Sequence, residues 1–104
     1  MVETPVRPDG AVREQHEQQT LTPKMYRVVL LNDDYTTMEF VVSVLERVFQ
    51  KGPAEAFRLM MQVHTHGRAV CGTYTYEVAE TKVGAVRELA REEGFPLQAS
   101  LEEG

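Results

Sequence analysis

The sequence predicts an α+β fold, a two-layer sandwich in which a three-stranded antiparallel sheet carries three helices in the order β-α-α-β-α-β. Three segments are short apolar runs or alternate between apolar and polar residues, as strands do. Three others repeat apolar residues every three or four positions, as amphipathic helices do, and Gly or Pro residues separate them. Three strands form too small a sheet to cover these helices on both faces, so we expect the helices on one face.

The first 23 residues are predicted to be a disordered N-terminal arm. The segment is rich in Pro and Gln, carries scattered charges and has no Phe, Tyr or Trp. Such a segment cannot bury enough apolar surface to offset the entropy cost of ordering it. The folded domain is therefore expected over residues 24–104.

The first strand is predicted over residues 25–31, where the run Met-Tyr-Arg-Val-Val-Leu-Leu precedes the turn signal Asn-Asp. A helix follows, because apolar residues recur over residues 38–49 at helical spacing. We expect this helix to begin at Thr36, whose hydroxyl would form a capping box with Glu39. Gly52 is expected to end it.

The second helix and second strand are delimited by Pro and Gly. Pro53 is suited to the first position of a helix, and Gly67 is a natural stop. The strand is predicted over residues 68–74, where Gly72 indicates a bulge or a close backbone approach.

The last two elements are predicted from a cap and from alternation. Thr75 can cap a third helix that runs to about Glu93, and Gly94 follows it as a C-terminal stop. Residues 97–102 then alternate between apolar and polar types, which is typical of an edge strand with one solvated face.

Composition excludes several classes of protein. With 104 residues the chain is expected to form one domain. A net charge of −5 without a basic stripe argues against nucleic-acid binding. The single cysteine, Cys71, excludes an internal disulfide and fits a reducing compartment. No apolar stretch could serve as a signal peptide or membrane span, so we expect a soluble cytoplasmic protein that does not act at a membrane.

The polar corner Asn32-Asp33-Asp34 follows the first strand directly. From these residues alone, the favoured interpretation is a turn whose side chains bond backbone groups, and a binding site is the alternative. A calcium loop is excluded because Thr37 occupies the position that needs glycine and Ser43 the position that needs an acid.

His64 and His66 raise the question of a metal. Residues two apart on a helix point to different sides, and no third ligand lies at useful spacing. We therefore predict no metal and no cofactor. No catalytic motif is present, which predicts that the chain is not an enzyme. The alternative that stays open is a small metal-dependent hydrolase using His64 and His66 with Asp33 or Asp34.

Five segments taken together resemble one family. They are Asn32–Thr36, Met38–Phe40, Val63–His64, Cys71–Gly72 and Glu77–Lys82. Over residues 24–104 the chain closely resembles the ClpS adaptor family of bacteria. One departure is Thr37, where the family commonly has proline, and we expect it to make the corner slightly less rigid.

The resemblance implies an adaptor that recognises N-terminal degradation signals. It would bind proteins that begin with Leu, Phe, Tyr or Trp and pass them to the N-terminal domain of a ClpA-like AAA+ unfoldase and its protease. The N-terminal arm would be engaged by the unfoldase during this transfer. A recognition domain of a ubiquitin ligase is a second alternative with the same fold, but a chain with nothing to recruit a ligase argues against it. A monomer is the simplest expectation.

The same resemblance implies which residues form the sites. The residues expected at the free α-amino group are Asn32, Asp34 and His64, with Asp33 as a helper. The residues expected to line the side-chain pocket are Leu31, Thr36, Met38 at the rim, Val41, Met60, Val63 and Leu97. Glu77 and Lys82 would dock the unfoldase.

The chemistry of these residue types agrees with that assignment. An α-ammonium group offers three donors, which amide, carboxylate and neutral imidazole acceptors can satisfy. Burying a Leu or Phe side chain contributes roughly 1.5–3 kcal/mol. With the resemblance included, a peptide-binding site becomes the better interpretation of the corner.

Overall fold

A computed structural model of the chain describes residues 22–104. Its elements are β1 (Met25–Leu31), α1 (Met38–Arg47), α2 (Pro53–His66), β2 (Arg68–Thr75), α3 (Tyr76–Glu93) and β3 (Gln98–Glu103). The predicted order β-α-α-β-α-β is confirmed. The predicted arm lies outside the described residues except for its last two positions. Within residues 22–104, no helix is both long and apolar enough to cross a membrane.

The sheet has the order β2-β1-β3, and both neighbours run antiparallel to β1. β1 is therefore the central strand, and β3 is an edge strand as predicted. The register of β2 slips once: Val28 pairs with Gly72, but Val29 pairs with Val70, so Cys71 is an extra residue. A Cβ on Gly72 would lie 2.2 Å from the hydroxyl oxygen of Tyr74. The predicted bulge and close approach therefore both occur here.

All three helices pack on one face of the sheet, as predicted. The core joins Val28 and Leu30 of β1 to the buried faces of the helices. The helix residues in this core are Phe40, Val41, Val44, Leu45, Ala56, Leu59, Met60, Val63, Ala79, Val83, Val86 and Ala90. Cys71 lies in the same layer, and its burial raises the pKa of the thiol to about 12. Cys71 is thus a packing residue and not a nucleophile.

The opposite face of the sheet is covered by charged side chains. Val29 points to this face yet has no exposed surface. Arg68 of β2 pairs with Leu31 of β1, and Glu102 of β3 pairs with Arg27 of β1. The ion pair between the Arg68 guanidinium and the Glu102 carboxylate, at 2.6 Å, therefore crosses diagonally over Val29. The stems of these side chains supply apolar cover on a face that has no helix.

The start of α1 differs from the prediction. The helix begins at Met38, and its N-cap is Thr37, whose hydroxyl oxygen accepts a hydrogen bond from the Phe40 amide at 3.1 Å. The prediction of a capping box between Thr36 and Glu39 was therefore wrong. The reason is local: Asp33 already binds both the amide and the hydroxyl of Thr36, which holds Thr36 outside the helix.

The remaining helix ends follow the Gly and Pro signals with one shift. α1 ends at Arg47, so Gly52 is the N-cap of α2 and not the stop of α1. Pro53 occupies the first position of α2, as predicted. Gly67 and Gly94 end α2 and α3 with φ values of 87° and 78°, in the left-handed region that favours glycine.

Candidate functional site

The polar corner is shaped by the carboxylate of Asp33. One of its oxygens accepts hydrogen bonds from the amides of Tyr35 at 2.8 Å and Thr36 at 2.7 Å. The other oxygen accepts the Thr36 hydroxyl at 2.8 Å. Partial burial alone would raise the pKa of Asp33, but these hydrogen bonds outweigh it and hold the pKa below its ordinary value. Asp33 therefore fixes the turn between β1 and α1.

A backbone hydrogen bond fastens this corner to the end of α2. The Asn32 amide donates to the Gly67 carbonyl at 2.9 Å, and the Gly67 amide donates to the Val63 carbonyl at 2.9 Å. Gly67 can serve both neighbours because its left-handed conformation turns the chain out of the helix. As a result, the last turn of α2, which carries His64, lies beside Asn32.

The corner, the start of α1 and the end of α2 enclose a cavity of about 210 Å³. Its floor is apolar and buried, formed by Val41, Met60 and Val63. Its mouth is polar. Met38 stands at the rim, 43% exposed. The complete lining is Asn32, Asp33, Asp34, Thr36, Met38, Val41, Met60, Val63 and His64.

Nine of the eleven residues predicted for the α-amino and side-chain sites line this one cavity. Leu31 and Leu97 do not. Leu31 lines a second cavity of about 390 Å³ on the other side of the corner, with Tyr35, Pro96 and Gln98. Leu97 is buried at the start of β3 and faces a third cavity between α3 and β3.

The mouth of the first cavity offers unused hydrogen-bond acceptors. Within residues 22–104, the side chains of Asn32, Asp34 and His64 form no hydrogen bond or ion pair, and all three are exposed. They supply an amide oxygen, a carboxylate and an imidazole nitrogen. The apolar floor lies below them. Since a cavity of about 150 Å³ can hold benzene in another protein, this one has room for a single large apolar side chain.

The groups that a metal-dependent hydrolase would need are not brought together. His64 lines the cavity, but His66 does not, and the His66 ring contacts the Thr65 hydroxyl at 2.9 Å. In the part of the chain that the structure describes, no group of three or more His, Cys, Asp or Glu side chains is placed to hold a metal ion. The geometry gives this alternative no support.

The predicted docking residues border a separate groove of about 760 Å³ between the end of α1 and α3. Glu77 is exposed in the first turn of α3. Lys82 is engaged within the domain: its ammonium donates to the Val48 carbonyl at 2.6 Å and the Gln50 side-chain oxygen at 2.9 Å. Lys82 thus fastens α3 to the C-terminal end of α1.

Two residues near the site were missed from the sequence. Thr37 caps α1, and the signal was a threonine directly before the apolar stripe. The Thr36–Glu39 spacing competed with that signal. Gln98 faces both the second and the third cavity, and nothing in the local sequence indicated it. Its position follows only from its pairing with Leu31 in the sheet.

Comparison with known proteins gives three findings. A family model described as "ATP-dependent Clp protease adaptor protein ClpS" matches residues 21–100. Two ATP-dependent Clp protease adapter proteins ClpS are close in sequence: that of Phenylobacterium zucineum is 57% identical over 89% of this chain and 85% of its own length. That of Cupriavidus metallidurans is 50% identical over 99% and 95%.

A solved structure shows the same fold. The structure of Agrobacterium tumefaciens ClpS2 bound to L-phenylalaninamide matches with a TM-score of 0.76 and 44% sequence identity. The match covers 79% of this chain and 99% of that one.

The lowered pKa of Asp33 makes part of the stability dependent on pH. Since the folded-state pKa lies below the unfolded one, this contribution is present above the ordinary pKa of 3.8 and is lost as pH falls through the folded-state value. We expect the free energy of unfolding to fall less steeply between pH 5 and pH 3 in Asp33→Asn than in the wild type. Urea denaturation at each pH measures this. Asp34→Asn removes the same charge at the corner but leaves those hydrogen bonds in place, so it controls for the loss of charge alone. Equal slopes in Asp33→Asn and the wild type would contradict the assigned role.

Proposed function

The chain belongs to the ClpS family of adaptors of the ATP-dependent Clp protease, and from that premise we propose that it binds proteins through an N-terminal Leu, Phe, Tyr or Trp. It delivers them to a Clp AAA+ unfoldase for degradation. Members of this family are adaptors and not enzymes. The observation that carries the proposal is the cavity that joins unused polar acceptors at its mouth to a buried apolar floor.

The α-amino group of the substrate is held at the mouth. Asn32, Asp34 and His64 each offer an acceptor that nothing else in the described domain occupies. An ammonium group has three donors, so one donor can go to each. Charge-assisted hydrogen bonds of this kind are about twice as strong as neutral ones, which makes an uncharged, blocked N-terminus a poor ligand.

Asp33 acts mainly behind this contact. A carboxylate has about four acceptor positions, and three hydrogen bonds from Thr36 and Tyr35 already use most of them. Asp33 therefore sets the positions of its neighbours Asn32 and Asp34 and adds negative charge beside the ammonium group.

The first side chain of the substrate enters the apolar floor. Val41, Met60 and Val63 surround it, while Thr36 and Met38 form the rim. Leu31 and Leu97 support the pocket from outside its lining. The related ClpS2 was solved with L-phenylalaninamide, a small molecule with a free α-amino group and a phenyl ring. The polar mouth of this cavity suits the amino group, and its apolar floor suits the ring.

Delivery uses the groove beside α3. Glu77 contributes an exposed carboxylate, and Lys82 keeps α1 and α3 at the distance that shapes the groove. The partner is the N-terminal domain of a ClpA-like unfoldase, and the adaptor acts as a monomer in the cytoplasm without a metal or cofactor.

His64 and His66 provide a matched pair of variants for the binding site. We expect His64→Ala to weaken binding of a Phe-initiated fluorescent peptide by roughly 10-fold to 100-fold, because a hydrogen bond to a charged group is lost. His66→Ala should bind within about twofold of wild type, since His66 does not line the cavity. Fluorescence anisotropy measures both. Equal affinities in the two variants would exclude His64 from the contact.

Glu77 can be tested separately from substrate binding. We expect Glu77→Lys to keep wild-type affinity for the peptide but to lose binding to the unfoldase N-terminal domain, measured by calorimetry. Glu92→Lys makes the same charge change in the last turn of α3, away from the groove, and should retain both activities. Retained unfoldase binding in Glu77→Lys would place the docking surface elsewhere.

A further inference from the structure

Two further cavities adjoin the cavity at the corner through shared lining residues. We infer that the three form a track for the substrate chain behind its first residue, ending at an arginine pair that selects acidic residues. The inference rests on the proposed function, since the substrate must enter with its N-terminus at the corner. It adds a preference at positions that the first cavity does not reach.

Shared walls connect the cavities. The first and second cavities are both lined by Asn32, Asp33 and Asp34. The second and third are both lined by Pro96 and Gln98. Gln98 pairs with Leu31 in the sheet, so it lies one strand away from the residue that precedes the corner. A chain leaving the first cavity across the corner therefore meets the second cavity and then the third.

The third cavity, of about 470 Å³, is basic. Arg87 and Arg91 line it from α3, one helical turn apart, and its lining includes no acidic residue. Within residues 22–104, Arg87 forms no ion pair, while Arg91 pairs with Glu88 on its own helix. The Arg87 guanidinium is therefore available to a carboxylate from outside the domain.

The two ends of the track carry opposite charges. Asp33 and Asp34 make its start negative, which suits the ammonium group, and the arginines make its far end positive. Between them, the exposed Tyr35 and Pro96 offer neutral contact surface. An extended peptide advances about 3.3 Å per residue, so a residue that reaches the third cavity must come after the residues that pass the first two. Carboxylate side chains at those positions fit the arginines.

A peptide series locates this preference. Each fluorescent peptide begins with Phe and continues with Gly, Ser and Ala, and a pair of Glu residues is placed at positions 2–3, 4–5, 6–7 or 8–9, or left out. We expect the pair at 4–5 or 6–7 to raise the affinity by about threefold to fivefold over the peptide without Glu, the size of one exposed ion pair. At positions 2–3 no gain is expected, because Asp33 and Asp34 lie there.

Two variants assign the gain to the arginines. Arg87→Gln combined with Arg91→Gln should abolish the gain while the affinity for the peptide without Glu stays at the wild-type value. Arg58→Gln removes the same kind of charge from α2, outside the three cavities, and should keep the gain. Absence of a position-dependent gain, or its survival in the double variant, would overturn the inference while leaving the proposed function intact. If no Phe-initiated peptide binds at all, the proposed function fails and the inference with it.

Discussion

The hydrogen bond from the Asn32 amide to the Gly67 carbonyl is the contact on which the site depends. It joins two polar segments that lie 35 residues apart in the chain (67 − 32), the end of β1 and the end of α2. Together with the adjacent pairing of Leu31 with Arg68, it brings the amide and carboxylate of the corner and the imidazole of His64 to one mouth. Because Gly67 adopts φ 87°, the same residue can end α2 and accept this bond. The apolar floor comes from the core face of α1 and α2, so core packing holds the pocket walls in place.

Two charged residues, one at the polar corner and one beside the groove of α3, hold the local structure through hydrogen bonds. Asp33 accepts hydrogen bonds from Tyr35 and Thr36 with most of its acceptor positions, and the Lys82 ammonium donates to the end of α1. By contrast, the side-chain carboxylates of Asp34 at the corner and Glu77 on α3 form no hydrogen bond or ion pair within the described domain. This division has a physical basis, since a residue that must meet an external ligand is most useful when its own acceptors are unused, and its position then has to be fixed by another side chain.

Most of the secondary structure could be predicted from the sequence. The features that could not be predicted depend on which of several possible contacts forms in the folded chain. β1 and the ends of α2 and α3 follow from local signals, namely a β-branched run and the residues Pro53, Gly67 and Gly94. The start of α1 failed because two threonines competed for one cap and a third residue, Asp33, decided between them. Leu31 and Leu97 were expected in the pocket by resemblance, and they line the second and third cavities. The burial of Val29 and the place of Gln98 depend on strand register, which no local pattern reveals.

We propose that the protein recognises the charged α-amino group of a substrate together with the side chain of its first residue. The most direct measurement compares two peptides that begin with Phe and differ only in acetylation of the α-amino group, titrated with the protein by fluorescence anisotropy. We expect saturable binding of the free peptide and at least about tenfold weaker binding of the acetylated one, since acetylation removes charge-assisted hydrogen bonds. Equal affinity for the two peptides, or no binding of either, would contradict it.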